Sequence, residues 1–271
     1  MAEALPCKRV YCIGDSNGKY PDATAAAPTL LSTYMGRREQ FGLDSRAEYH
    51  EVFPLGMCST TTGYTATVAL PTVQAIQRGK KEPALTIWTF PTAADTLEVT
   101  RNGERVQRAS LKRSLFAAEK ILDFCATNNN RTMLIGNYPL EREGAEYDGA
   151  SVSSETLREY DGAVRKLAET YGDGALYLNS RDLFAKYCGA QVNGPERPSG
   201  LFIEEDDIHL SRRAQAALFF GSLPDVRACI ALPSNTAEQE ALVLAGVAPD
   251  FSDMHDVYLR EFSAAQVPLA K

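Results

Sequence analysis

The chain has 271 residues, 44% of them hydrophobic and 23% charged, with a formal net charge of −7; this composition supports one sizeable core and excludes wholesale disorder. No Lys/Arg block is long enough for a phosphate-binding stripe, because Arg78-Gly79-Lys80-Lys81 and Arg212-Arg213 sit at helix ends, so nucleic acid is not an expected partner. No run approaches the roughly 20 apolar residues that span a bilayer, and the first ten residues carry no signal-peptide core, so the expectation is a cytoplasmic protein with no membrane partner.

In chain order, the first apolar run, residues 9–13, breaks into Gly14-Asp15-Ser16-Asn17-Gly18. Residues 19–42 are less regular, with a short helix around 29–41. Further apolar runs at 49–53, 85–90, 132–136 and 175–179 read as strands bounded by turn signals. Helical periodicity fills several of the gaps. Residues 104–130 place Val106, Leu111, Leu115, Leu122 and Cys125 at helical spacing, and 151–172 line up Leu157, Tyr160, Val164 and Leu167 behind a Ser153 or Ser154 cap. Residues 186–207 are rich in Gly and Pro and read as loop. A third helix follows the Ser211 cap with Ala214, Ala217, Leu218 and Phe219 facing the sheet.

The alternation of strand and helix predicts an α/β fold, a five-stranded parallel sheet covered on both faces. The expected organisation is one domain over residues 1–223 and a C-terminal extension, 224–271, with a helix at 235–246. That extension packs on its own domain or on a partner subunit, which leaves a homo-oligomer open. The six cysteines, Cys7, Cys12, Cys58, Cys125, Cys188 and Cys229, are too widely spaced for a zinc or redox motif and read as free thiols, with no metal site.

The chain has only three histidines, His50, His209 and His255, which narrows any chemistry that needs imidazole. Asp206 stands three residues before His209, at a loop-to-helix junction. A carboxylate so placed takes the proton on one ring nitrogen and leaves the other as a base. Asp207 serves only with a different local turn. Ser16, at the carboxyl end of the first strand, faces the crevice where open parallel sheets bind ligands. If Asn17 begins a helical turn, the N–H groups after Ser16 point into the same volume and can stabilise an oxyanion. His50 reads as structural at a strand start, and His255 remains the competing base.

Residues 12–18, CIGDSNG, and 206–220, DDIHLSRRAQAALFF, resemble the first and last blocks of the SGNH, or GDSL-type, hydrolase superfamily. The resemblance covers residues 8–222. It implies a flavodoxin-like three-layer α/β/α sandwich, Ser16 as nucleophile, His209 as base, Asp206 as its orienting partner, and no cofactor. The implied substrate is a small-molecule ester or related acyl compound, cleaved through an acyl-enzyme. The implied oxyanion hole comprises the Ser16 N–H, a glycine of the second block, and an asparagine in a Gly-x-Asn-Asp third block. Gly63 is the first choice for the glycine and Gly56 the second.

The third block departs from the pattern. Residues 89–98, TFPTAADTLE, contain no asparagine. Thr92 or Thr89 can donate instead, or Asn137 can reach in from the end of the next strand, or the reaction is acyl transfer on an activated acyl substrate. A ligand-binding protein with an impaired site is the other alternative. Asn17, Tyr20, Met57, Trp88, Phe90 and Tyr138 fall at strand ends or in the following loops and are the expected substrate-binding wall.

Overall fold

The computed structural model of the chain describes residues 7–18, 26–43, 51–57, 60–139, 146–147, 150–189, 200–203, 206–230 and 237–265. Strand β1 (Arg9–Gly14) ends in a 3-10 turn at Ser16–Gly18, and α1 (Ala27–Arg38) follows. Strand β2 (Glu51–Pro54) leads to the short α2 (Thr62–Tyr64), a π-helical stretch at Thr65–Ala69, and α3 (Leu70–Gln77). Then come β3 (Ala84–Thr89), a hairpin of β4 (Glu98–Arg101) and β5 (Glu104–Gln107), and α4 (Leu111–Thr127). The order continues with β6 (Asn130–Ile135), the short β7 (Glu146–Tyr147) and β8 (Ala150–Ser151), α5 (Ser154–Glu169), β9 (Ala175–Leu178) and α6 (Ser180–Cys188). The chain closes with β10 (Phe202–Ile203), β11 (Asp206–Leu210), α7 (Arg212–Cys229), α8 (Ala237–Val247) and α9 (Ser252–Ala265).

The five long strands form one parallel sheet in the order β2-β1-β3-β6-β9. Side chains alternate between its faces, as the two-residue period of a strand requires. Val10, Cys12, Leu85, Ile87, Met133 and Ile135 join the core under α1, α6, α7, α8 and α9. Tyr11, Ile13, Trp88 and Leu134 join the opposite core under α3, α4 and α5. The result is the three-layer α/β/α sandwich expected from the alternation of elements.

Strand order reverses between β1 and β3, so the loops leaving their carboxyl ends part there and open a crevice. Gly14 marks the tightest point. Its φ is +148°, and a Cβ on it would stand 2.4 Å from the Thr89 Oγ1 and 2.6 Å from the Thr89 carbonyl oxygen, which only glycine avoids.

The predicted helix over 104–130 starts later than expected. Residues 104–107 pair with β4 as a hairpin whose turn residues, Asn102 and Gly103, have φ of 53° and 83°. Such a turn needs two left-handed residues, which Asn-Gly supplies. Val106 therefore lies in a strand, and α4 starts at Leu111. The small sheet β5-β4-β8-β7 stands apart from the main one. Part of the expected 186–207 loop is regular, covering the end of α6, β10 and the start of β11.

Ser153 and Ser211 cap α5 and α7 by accepting the N–H groups of Thr156 and Ala214. In the tail, Val243, Leu244, Met254 and Tyr258 are buried in the core that holds α1 and α7. Glu240, fully buried, accepts from Tyr34 and faces Arg38 at 3.2 Å and Arg227 at 3.6 Å. The five described cysteines form no disulfide, and Cys58 lies outside the described residues. Among the described residues, no helix is long and apolar enough to cross a membrane.

Candidate active site

The turn after β1 brings Ser16 to the crevice, and β11 brings His209 to the same place. The Ser16 Oγ lies 2.8 Å from the His209 Nε2. Both residues are nearly enclosed, 8% and 3% exposed, so the hydrogen bond forms where water competes little for it. With Nε2 as acceptor the serine donates, and the ring proton resides on Nδ1. Asp206 and Asp207 lie on β11, just before His209, and their side chains fall outside the described part of the structure.

His255, the competing base, sits on α9 with its ring centroid 6.4 Å from that of Phe220. Burial lowers its pKa, opposed by the charge of Asp256. His50 lies outside the described residues.

The Ser16 turn differs from expectation in where its N–H groups point. Asn17 N–H donates to the Asp15 Oδ1 at 2.9 Å, and Gly18 N–H to the Asp15 carbonyl at 3.2 Å. Two of the three N–H groups are thus turned back onto Asp15, leaving that of Ser16 itself as the one not committed there. Asp15 is buried, and desolvation raises its pKa to about 6 against the Asn17 N–H and the nearby His209, which favour the carboxylate.

The two glycines expected for the second block occupy different positions. Leu55 and Met57 donate to the Cys12 and Gly14 carbonyls, so the intervening Gly56 N–H turns to the other side, away from β1. Gly56 is a close-approach residue instead: a Cβ there would lie 3.3 Å from the Asp15 carbonyl oxygen. Gly63 lies in the first turn of α2. The Thr62 N–H goes to the Asp95 carboxylate and the Tyr64 N–H to the Thr61 Oγ1, so Gly63 carries the first-turn N–H that neither claims. Thr60 Oγ1 donates to the Met57 carbonyl at 3.0 Å and lies 3.4 Å from the Gly14 carbonyl, which keeps this segment over the end of β1.

In the third block Phe90 has φ of 51°, a turn that glycine makes most cheaply, and Thr92 falls two residues on, where the resemblance places asparagine. Thr92 does not stand alone. Asn137 Nδ2 donates to the Thr92 Oγ1 at 2.8 Å, and Thr92 N–H donates to the Asn137 Oδ1 at 3.3 Å. The two candidates are thus one buried unit, fixed from behind by Asp161, which accepts the Asn137 N–H at 2.7 Å and the Tyr177 hydroxyl at 2.6 Å. Thr89 is engaged elsewhere, donating to the Ile13 carbonyl at 3.3 Å. Asp95 is fully buried beneath α2, its pKa raised to about 6 by desolvation against the Thr62 donors.

The expected substrate wall needs correction. Trp88 is 1% exposed and belongs to the core beneath α3, α4 and α5, because its place in β3 turns it away from the α7 face. Phe90 and Tyr138 are buried and stack edge to face at 5.0 Å, and Tyr138 does the same with Phe202 at 5.7 Å; they pack behind the crevice and support β10. Asn17 is 2% exposed and accepts the Leu210 N–H on its Oδ1, so its side chain serves the protein interior. Met57, half-buried beside Gly14, keeps a place next to the Ser16 turn. Tyr20 lies outside the described residues. No three His, Cys, Asp or Glu side chains gather as a metal-binding group among the described residues.

No protein-family model and no curated protein matches the chain by sequence. Among solved structures, it is similar to a GDSL-like lipase from Bacteroides thetaiotaomicron VPI-5482, with 11% identity over 82% of this chain and 88% of that one and a TM-score of 0.54. The carbohydrate acetylesterase Est24 from Sinorhizobium meliloti is similar at 17% identity, covering 82% of this chain and 99% of that one, with a TM-score of 0.53. The chain has the SGNH hydrolase fold. LAE5, an alpha/beta hydrolase enzyme from the metagenome of Lake Arreo, is similar at 13% identity over 83% of this chain and 97% of that one, with a TM-score of 0.58. Within the SGNH fold, Ser16 and His209 occupy the crevice at the reversal of strand order.

Proposed function

We propose that this protein is a serine hydrolase of the SGNH superfamily that cleaves a carboxylic ester or related acyl compound through an acyl-enzyme. The observation that carries this reading is the Ser16 Oγ to His209 Nε2 hydrogen bond of 2.8 Å at the crevice. A serine hydroxyl is a weak nucleophile until a base within hydrogen-bond reach takes its proton.

In the proposed cycle His209 accepts the Ser16 proton as the oxygen attacks the acyl carbon, and Asp206 steadies the imidazolium. The N–H groups of Ser16 and Gly63 receive the charge on the carbonyl oxygen, with Thr92, backed by Asn137, as third donor. His209 then protonates the leaving alcohol or thiol, and water repeats the steps to release the acid. The site residues supply every proton transfer, so the reading needs no cofactor.

The esterase and lipase names of the structural neighbours support the reaction class. Replacement of the block-three asparagine by a Thr92–Asn137 pair supports a second reading, an impaired site that binds its ligand with little turnover, since one oxyanion donor is worth about 3 kcal/mol in the transition state. One experiment separates them. The protein is treated with a fluorophosphonate and with 4-nitrophenyl acetate, and the intact mass is recorded for wild type and Ser16→Ala. An adduct on wild type alone supports the hydrolase; no adduct and no turnover, with ligand binding unaffected by Ser16→Ala, supports the binding protein.

A further inference from the structure

We infer that Asn17 and Gln215 are positioning residues that hold the Ser16 turn and the His209 strand in register; the inference rests on the serine-hydrolase reading of that pair. Asn17 joins the turn after β1 to the junction of β11 and α7, 193 to 198 residues away in sequence. Its N–H donates to the Asp15 Oδ1 at 2.9 Å, its Oδ1 accepts the N–H of Leu210, the residue after His209, at 2.8 Å, and its carbonyl accepts from the Gln215 Nε2 of α7. Gln215 extends the chain of bonds by accepting the Ala27 N–H, at the start of α1, on its Oε1 at 3.2 Å. Both side chains are buried, 2% and 1% exposed.

The Ser16–His209 hydrogen bond cannot by itself hold the two groups together through a reaction. Once the Ser16 oxygen bonds to carbon and its proton sits on the imidazole, that contact is given up, yet the ring must stay in place to protonate the leaving group. The Asn17–Leu210 bond joins the chain one residue beyond each reacting group and involves no atom that reacts. Gln215 fixes the same residue, through its carbonyl, to α7, which carries no reacting group.

A second observation sets Asn17 apart from a mere space-filler. Its Nδ2 is buried beside the Asp15 carboxylate without reaching a full hydrogen bond. An incompletely satisfied buried amide costs stability that an apolar side chain of the same size would not. The cost is understandable where the Oδ1 is needed as an acceptor for Leu210.

The test compares Asn17→Leu, which removes the acceptor at similar size, Asn17→Asp, which keeps an acceptor oxygen, and Gln215→Leu, with Val243→Ala in α8 as a control for lost stability. Three readings are taken: the rate of fluorophosphonate labelling, kcat and KM on 4-nitrophenyl acetate, and the nitrogen NMR shifts of the His209 ring. For Asn17→Leu and Gln215→Leu the expected result is labelling and kcat at least about tenfold lower, as misplacement of a catalytic group produces. KM should stay within about twofold, since binding is not what was removed. The ring shifts of His209 should move, Asn17→Asp should recover part of the rate, and Val243→Ala should label like wild type.

Folded Asn17→Leu that labels at the wild-type rate with unmoved His209 shifts would overturn the inference, as would equal slowing by Val243→Ala. If wild type takes no label at all, the hydrolase reading is what has failed. The NMR shifts then decide the inference alone, unmoved shifts counting against it. If Asn17→Leu does not fold, Gln215→Leu is judged by the same readings.

Discussion

The Ser16 hydroxyl and the His209 imidazole meet at 2.8 Å across 193 residues of sequence. Neither group belongs to either apolar core, so their removal should cost far more chemistry than folding. Ser16→Ala should abolish adduct formation and lower turnover by on the order of 10⁴-fold or more, and His209→Ala should cost a comparable factor, because members of such a unit are not additive. Intact mass and kcat measure the loss, and an unchanged unfolding midpoint checks the fold.

The reciprocal bonds between Thr92 and Asn137 predict coupled behaviour. Thr92→Val and Asn137→Leu should each cost about 1–3 kcal/mol of stability, and the double variant should cost less than the sum, because either change breaks the same pair. If the pair supplies the third oxyanion donor, kcat falls by about 10²-fold in each single variant. Urea unfolding and steady-state kinetics on the same four proteins measure both effects.

Asp95 gives a pH dependence with a definite sign. Its pKa rises from an ordinary value of 3.8 to about 6 in the folded protein because the carboxyl is desolvated. Between those values the folded state holds a proton that the unfolded state has lost, so this group's contribution is full below pH 3.8 and declines as pH rises through 6. The decline amounts to about 3 kcal/mol if the full shift is realised. Asp95→Asn should remove that part of the slope, leaving stability flatter between pH 4 and 6 than in wild type, as urea unfolding across that range would show.

Glu240 is fully buried between Arg38 and Arg227. Glu240→Ala leaves the guanidinium groups buried without their anion and should cost about 3–5 kcal/mol. Glu240→Gln, which keeps an acceptor for Tyr34, should cost less. Because the cluster joins α8 to α1 and α7, the loss should appear in global unfolding and not as separate melting of the tail.

Gly14→Ala places a Cβ 2.4 Å from the Thr89 Oγ1 at a φ of +148°. Since both the clash and the backbone strain act at the crevice, the expected cost is more than about 3 kcal/mol, with loss of any esterase activity. A folded, active Gly14→Ala protein would show that β1 and β3 can part at this point.

Much of the fold was legible because it follows from local rules. The five strands announce themselves as short apolar runs, and the caps at Ser153 and Ser211 follow from the need of first-turn N–H groups for an acceptor. The 104–107 segment is ambiguous in sequence because Val106 fits a helical period as well as a strand, while Asn102-Gly103 directly before it carries the turn signal that favours a hairpin. Ser16 and His209 stood out as a serine after a strand and one of only three imidazoles, and the structure brings the two side chains together.

By itself, then, the sequence determined the alternation of elements and singled out Ser16 and His209 as a candidate pair, since both depend on residue type and short spacing. Only the tertiary structure decided that Trp88 faces the core, that Thr92 and Asn137 act as a pair, and that Asn17 turns inward to Leu210. Those outcomes depend on which face of a strand meets which helix and on hydrogen bonds between segments far apart in the chain. Neither is set until the sheet order brings those segments side by side.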